Sequence, residues 1–168
     1  MKKKKVLLIF LPGIILGLFL SFTVKKTFTL TSTDKYCSSC HNHPKATQSW
    51  EQSVHYNNKS GIKVHCVQCH LPPKEKGRFM AKIKIGSSHL WSHLFKDSAN
   101  FNWEEKSKPE NAVNHVYETS CINCHQTLLP NSSNKRREKA HLYYFDKKKT
   151  GDIQCINCHI TVGHKKPK

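Results

Sequence analysis

Two stretches decide how this chain is read: "CINCHQT", Cys121–Thr127, and "CINCHIT", Cys155–Thr161. Two more copies of the five-residue core stand upstream, "CSSCH" at Cys37–His41 and "CVQCH" at Cys66–His70. Together the four motifs use all 8 cysteines of the 168-residue chain. Disulfides need no histidine after the second cysteine, and zinc ribbons explain the cysteine pairs but not the histidines. Since 12 of 168 residues are His, four such coincidences by chance are on the order of 10⁻⁵, which removes both alternatives. Covalent c-type haem accounts for every position. Cys37 and Cys40, Cys66 and Cys69, Cys121 and Cys124, and Cys155 and Cys158 supply thiols for the two vinyl groups of one haem each. His41, His70, His125 and His159 fall beneath the irons as axial ligands.

Four covalent haems also resolve the composition. Apolar residues are 37% of the chain, and part of that lies in one N-terminal run. The remainder is thin for an ordinary core of this length. Flat porphyrin faces supply what the side chains lack. The expected fold is mainly α, an N-terminal transmembrane helix followed by a small haem-packed tetrahaem cytochrome c domain with long loops. The formal charge of +17 suits nucleic acid, an anionic membrane surface or an acidic protein. Haem propionates offset about 4 to 8 of those charges. No nucleic-acid partner is expected, because charge alone speaks for one.

The N-terminus, "MKKKKVLLIFLPGIILGLFLSFTVKK", sets four lysines before a run from Val6 to Val24 without a charge. As a helix that run spans roughly 28 Å, about one hydrocarbon core, and Pro12, Gly13 and Gly17 are tolerable in a membrane. A cleaved signal peptide would have a shorter apolar segment and a small-residue cleavage site, and Ser21–Lys26 offers none. Residues 1–26 are expected to be a cytoplasmic start and a single-pass anchor in the bacterial inner membrane. Residues 27–168 are expected to form the haem domain in the periplasm.

An iron with one histidine takes a second ligand on its other face. Eight histidines lie outside the motif-adjacent positions. His55 in "QSVHYNN" and His141 in "EKAHLYY" follow plausibly helical stretches and precede aromatics, and are favoured. The expectation is that His55 serves the haem of motif four and His141 that of motif three. His65 abuts Cys66 and is too constrained to reach another iron. His164 lies in the lysine-rich tail and reads as exposed. Between motifs two and three, Phe79, Ile83, Leu90 and Leu94 recur at near-helical spacing, with a break expected around Gly86-Ser87-Ser88. Lys82 and His89 lie on one side of this segment, which suits a helix on a membrane surface or one packed on a haem. A helix is expected from about Pro109 to Thr119. Another is expected to carry His141.

An anchor followed by four such motifs in about 140 residues resembles the NapC/NirT/NrfH family of membrane-anchored tetrahaem quinol dehydrogenases. The small size and the lack of a fifth motif resemble its NrfH branch, which serves ammonia-forming cytochrome c nitrite reductase. The resemblance rests on the anchor, "CSSCHNHP", "SVHYNNKSG" leading to "CVQCHLPP", and "CINCH…GH". It implies that the chain draws electrons from the membrane quinol pool, as menaquinol, and passes them to a periplasmic multihaem reductase, the pentahaem nitrite reductase. In that family a methionine two residues past the first motif binds the first iron. His43 stands there instead, so the first haem takes His43 or His41. The family's distal histidines match His55 and His141. Its quinol site pairs a lysine with an acid seven residues on. Lys82 matches the lysine, and His89 takes the acid's place as a candidate proton acceptor. Two competing readings are a tethered electron wire that never touches quinol and a terminal reductase of a small oxyanion. The latter lacks any dedicated catalytic motif.

Overall fold

Nothing charged interrupts the apolar run, so the chain's first element is one long helix, α1, Lys2–Leu30. In this computed structural model, residues 2–40, 44–96, 102–106, 108–129 and 134–165 are described. The stretch Phe10–Leu30 is long and apolar enough to cross a bilayer, with none of its window buried against the rest of the protein. Side chains such as Leu18 and Phe19 are about two-thirds exposed (67% and 65%). A face that would be costly in water is the expected surface of a helix in lipid. The helix continues past Lys26 because Thr27–Leu30 keeps its apolar character. Thr31 and Ser32 then close it by donating their hydroxyls to the carbonyls of Thr27 (2.7 Å) and Phe28 (2.6 Å).

Beyond the anchor the described residues form short helices and turns, with no strand. They are α2 (Asp34–Ser38), α3 (Pro44–Glu51), α4 (Cys66–His70), a 3-10 turn at Lys74–Lys76, α5 (Arg78–Phe95), α6 (Trp103–Lys106), α7 (Pro109–Ala112), α8 (Glu118–Cys124), α9 (Lys135–Lys148) and α10 (Cys155–Cys158). The mainly α architecture is the one the sequence implied. Each motif begins on its own short helix, α2, α4, α8 or α10, and the four pack in chain order: α2 on α4, α4 on α8, α8 on α10. Thr33 starts α2 by accepting the Tyr36 amide on its hydroxyl. Asp34, the next residue, ties α2 to α4 by accepting the Cys66 amide (3.0 Å) and the His65 Nδ1–H (2.7 Å).

Two elements differ from expectation. The helix over residues 78–95 is unbroken: Ser87 donates its hydroxyl to Lys84 O within the helix, and nothing crowds Gly86. A single glycine costs an interior turn only about 1 kcal/mol, too little to break 18 residues. The expected helix from Pro109 to Thr119 is instead two, α7 and α8, separated by turns at Val113–Val116. The Tyr117 amide there leaves the helical pattern to donate to Cys69 O (3.2 Å), which docks motif three on motif two.

Buried apolar side chains are few: among the described residues they are Trp50, Leu71, Pro72 and Tyr144. Among the described residues these form no continuous core: Leu71 and Tyr144 lie against α8, and Trp50 packs on Tyr56 in the loop after α3.

Candidate haem-binding sites

Three motif histidines each face a histidine from elsewhere in the chain. His70 of motif two faces His164, ring centroids 6.1 Å apart; His125 of motif three faces His55 at 6.2 Å; His159 of motif four faces His141 at 6.3 Å. A metal–imidazole bond is about 2 Å and a ring nitrogen stands about 1 Å from its centroid, so two imidazoles across one metal atom have centroids about 6 Å apart. Stacked or edge-packed rings without a metal show a wide range of spacings. Three values within 0.2 Å of one another, each joining a motif to a distant residue, fit one iron per pair.

Hydrogen bonding at the other ring nitrogen agrees. His70 Nδ1 meets His115 O at 2.7 Å, and His55 Nδ1 meets Val162 O at 2.9 Å. His164 Nδ1 lies 3.0 Å from Ser49 Oγ and 3.1 Å from Ala46 O. A carbonyl at Nδ1 fixes the proton there and leaves Nε2 as the ligating nitrogen. His70 is half-buried by area, yet the atoms packed around its ring desolvate it. With His164 opposite adding in the same direction, its pKa falls to about 4. The ring is therefore neutral at physiological pH, the form that binds metal. His141 Nδ1 is buried with no hydrogen-bond partner among the described residues, an orphan that a polar group on a bound cofactor would relieve. The residues present thus fit bis-histidine haem at motifs two, three and four.

The elements that bring these rings together are long-range. The Trp50 indole donates to Val64 O (3.1 Å) and Val64 N to His55 O (2.8 Å), which folds the loop after α3 back upon itself and fixes His55. The segment after motif four returns to α3 through Lys165 N donating to Ser49 O (3.0 Å). That one segment supplies His164 to motif two and the Val162 carbonyl to His55. His141 lies on α9, which docks through Tyr144. The Tyr144 hydroxyl donates to Glu118 Oε1 (2.8 Å), and Lys148 joins both (2.9 Å to the hydroxyl, 3.5 Å to the carboxylate).

Several sequence readings change here. His55 faces motif three and His141 faces motif four, the reverse of the expected assignment. α9 leads directly into motif four and folds back upon it, while His55 is held by the loop that meets α8. His164 is half-buried and faces His70, so it is not an exposed tail residue; the "GH" after the last motif was its one signal. His65 is committed to Asp34, as its position beside Cys66 suggested. His41 and His43 lie outside the described residues.

No two of the eight cysteines form a disulfide. The side chains of Cys37 and Cys66 meet across motifs one and two, and those of Cys121 and Cys155 meet across motifs three and four. Motifs one and two, and motifs three and four, therefore meet edge to edge at their attachment points.

Lys82 sits where the anchor joins motif one. Its ammonium donates to Phe28 O and Ser32 Oγ and stands 4.1 Å from the Phe28 ring centroid, while Phe28 stacks on Phe79 at 5.8 Å. A cation at the carboxyl end of α1 is favoured by the helix dipole. Desolvation nonetheless lowers its pKa. His89 follows two turns later on the same helix, about 10 Å along its axis, and is exposed. Around it α5 exposes Met80, Leu90, Trp91, Leu94 and Phe95, each more than half accessible.

Comparison with known proteins points to one family. The profile of the NapC/NirT cytochrome c family, N-terminal region, matches residues 1–168. The tetraheme c-type cytochrome CymA of Shewanella oneidensis is 29% identical over 99% of this chain and 94% of its own. NapC of Paracoccus pantotrophus is 27% identical over 94% of this chain and 68% of its own. TorC of Escherichia coli K12 is 27% identical over 92% of this chain, which spans only 41% of TorC. No solved structure matches.

Proposed function

The chain belongs to the NapC/NirT cytochrome c family, and from that premise we propose that it is a membrane-anchored tetrahaem c-type cytochrome that oxidises quinol and hands the electrons to a periplasmic reductase. The observation that carries this reading is the set of three histidine pairs at 6.1–6.3 Å, each built on a different motif. Each haem supplies one-electron storage at its iron when bound. The eight motif cysteines hold the four haems. His70 with His164, His125 with His55 and His159 with His141 ligate three of them, and the first takes His41 or His43. The packing order α2, α4, α8, α10 then runs from the anchor outward.

Quinol oxidation releases two electrons and two protons. It needs an apolar place reachable from lipid, a positive group for the developing quinolate and a base. The junction of α1 and α5 offers all three. The exposed apolar residues of α5 continue the exposed surface of α1, and so suit a helix lying in the headgroup layer. Lys82 steadies the quinolate oxygen by moving from the Phe28 carbonyl to the substrate. His89 accepts a proton near neutral pH. Menaquinol is the proposed quinol, and ammonia-forming cytochrome c nitrite reductase the proposed acceptor. That acceptor rests on the resemblance to the NrfH branch. The excess of Lys2–Lys5 over Lys25 and Lys26 at the two ends of the apolar run supports a haem domain in the periplasm.

The test uses the holoprotein in lipid nanodiscs. Menaquinol should reduce the haems, a quinol analogue should block the reaction, and Lys82→Ala and His89→Ala should each slow it while dithionite reduces all variants alike. If both variants accept electrons from menaquinol at the native rate, the site lies elsewhere. If quinol reduces nothing, the chain is a tethered wire.

A further inference from the structure

We propose that the outer face of α9 docks an acidic electron-accepting protein directly above the His141–His159 pair; the inference rests on the electron-transfer reading and names the surface and chemistry of its partner. The helix carries six basic residues against two acidic ones. Lys135, Arg136, Lys139 and Tyr143 fall on one side at helical spacing, all exposed. His141 and Tyr144 occupy the opposite side, toward motif four and Glu118. One helix thus presents an axial ligand candidate inward and a cationic stripe outward, separated by its own diameter of about 10–12 Å.

The arrangement defies local stability. Lys135, Arg136 and Arg137 outnumber Glu138 in the first turn, where the helix dipole disfavours cations. Among the described residues no ion pair neutralises Lys135, Arg136 or Lys139. A cluster that breaks a local rule without a compensating internal contact marks a surface kept for something else. An exposed tyrosine among cations has the composition of a protein-docking patch. A helix lying in a bilayer would instead show a broad apolar face. The position agrees. α1 meets α5 near motif one, whereas α9 attaches at the far end of the motif succession. Charge complementarity then selects an acidic partner and speeds its approach.

The experiment takes dithionite-reduced holoprotein, freed of excess reductant, and mixes it by stopped flow with oxidised plastocyanin, an acidic copper protein, as the probe. Dithionite bypasses quinol, so a failure of the quinol reading leaves this test intact. Native protein should react fast at low salt and lose rate steeply as salt rises. The triple reversal K135E/R136E/K139E should slow the reaction at least about tenfold at low salt, and the neutral triple K135Q/R136Q/K139Q by an intermediate factor. K59E/K74E/K76E, at exposed lysines elsewhere, should stay within about twofold. The low-spin spectrum checks that each variant keeps its haems, and the neutral triple carries the test if the reversal fails to fold. Native rates in the α9 variants would overturn the proposal. So would equal slowing by the control triple, which would make net charge the cause. Loss of binding to phosphatidylglycerol vesicles with an unchanged plastocyanin rate would make α9 membrane-facing and would also overturn it.

Discussion

His164 and His70 face one another with ring centroids 6.1 Å apart, although 94 residues separate them in the chain. The contact is maintained from outside the pair: Ser49 and Ala46 hold one ring through Nδ1, and the His115 carbonyl holds the other. Whatever sits between the two rings is therefore positioned by α3, by the segment before α8 and by the last residues described.

If one iron lies between them, His164→Ala should convert a single haem from low to high spin and leave the others unchanged. Electron paramagnetic resonance of the ferric protein checks this. His65→Ala, in which the lost ring belongs to Asp34 and not to a facing histidine, should leave every haem low spin. An unchanged spectrum in His164→Ala would show that the pair does not ligate.

Asp34→Asn tests the joint between motifs one and two. Burial raises the Asp34 pKa, but the hydrogen bonds from His65 and the Cys66 amide outweigh it and hold the carboxyl below its ordinary 3.8. A depressed carboxylate contributes stability above its unfolded pKa and loses it as pH falls through the folded one. The variant should be less stable by about 1 kcal/mol at pH 7, allowing for solvent screening. The gap between variant and native protein should close as the pH drops below 3.8. Thermal melts at pH 7, 5 and 3 give the comparison; a gap of equal size at pH 3 would mean that the ionised carboxylate contributes nothing.

Tyr144→Phe removes the hydroxyl that links Glu118 on α8 to Lys148 on α9. The ring stays buried, so the loss is that of the hydrogen bonds, about 1–2 kcal/mol. Denaturant unfolding should show it. The midpoint potential of the haem at motif four should also move, because the same contact seats the helix that carries His141.

Without haem attachment the chain should not hold its soluble fold. Four buried apolar residues among those described are far fewer than a domain of this length needs. Expression without the haem-attachment machinery should yield protein with helical circular dichroism confined largely to α1 and rapid proteolysis beyond it. The intact holoprotein should carry four haems by mass.

The candidate attachment sites were legible in the sequence because covalent haem binding is a local matter. Two thiols and one imidazole must lie within five consecutive residues, and no folding is needed to see them at Cys37, Cys66, Cys121 and Cys155. The anchor was legible for the same reason, since crossing a bilayer requires an unbroken apolar run. His55 and His141 were singled out through their place between motifs, and each faces a motif histidine, but not the one expected. Which iron a distant imidazole reaches depends on how the loop after α3 and the helix α9 fold back, and those paths are set by the Trp50–Val64 and Tyr144–Glu118 hydrogen bonds. His164 shows the limit most sharply. Its neighbours Lys165 and Lys166 are the signature of a solvated tail, and composition alone assigns the histidine to solvent with them. Only the tertiary structure brings that tail to Ser49 and turns the ring toward His70, because a single side chain's burial is decided by long-range packing that its own neighbours in sequence do not encode.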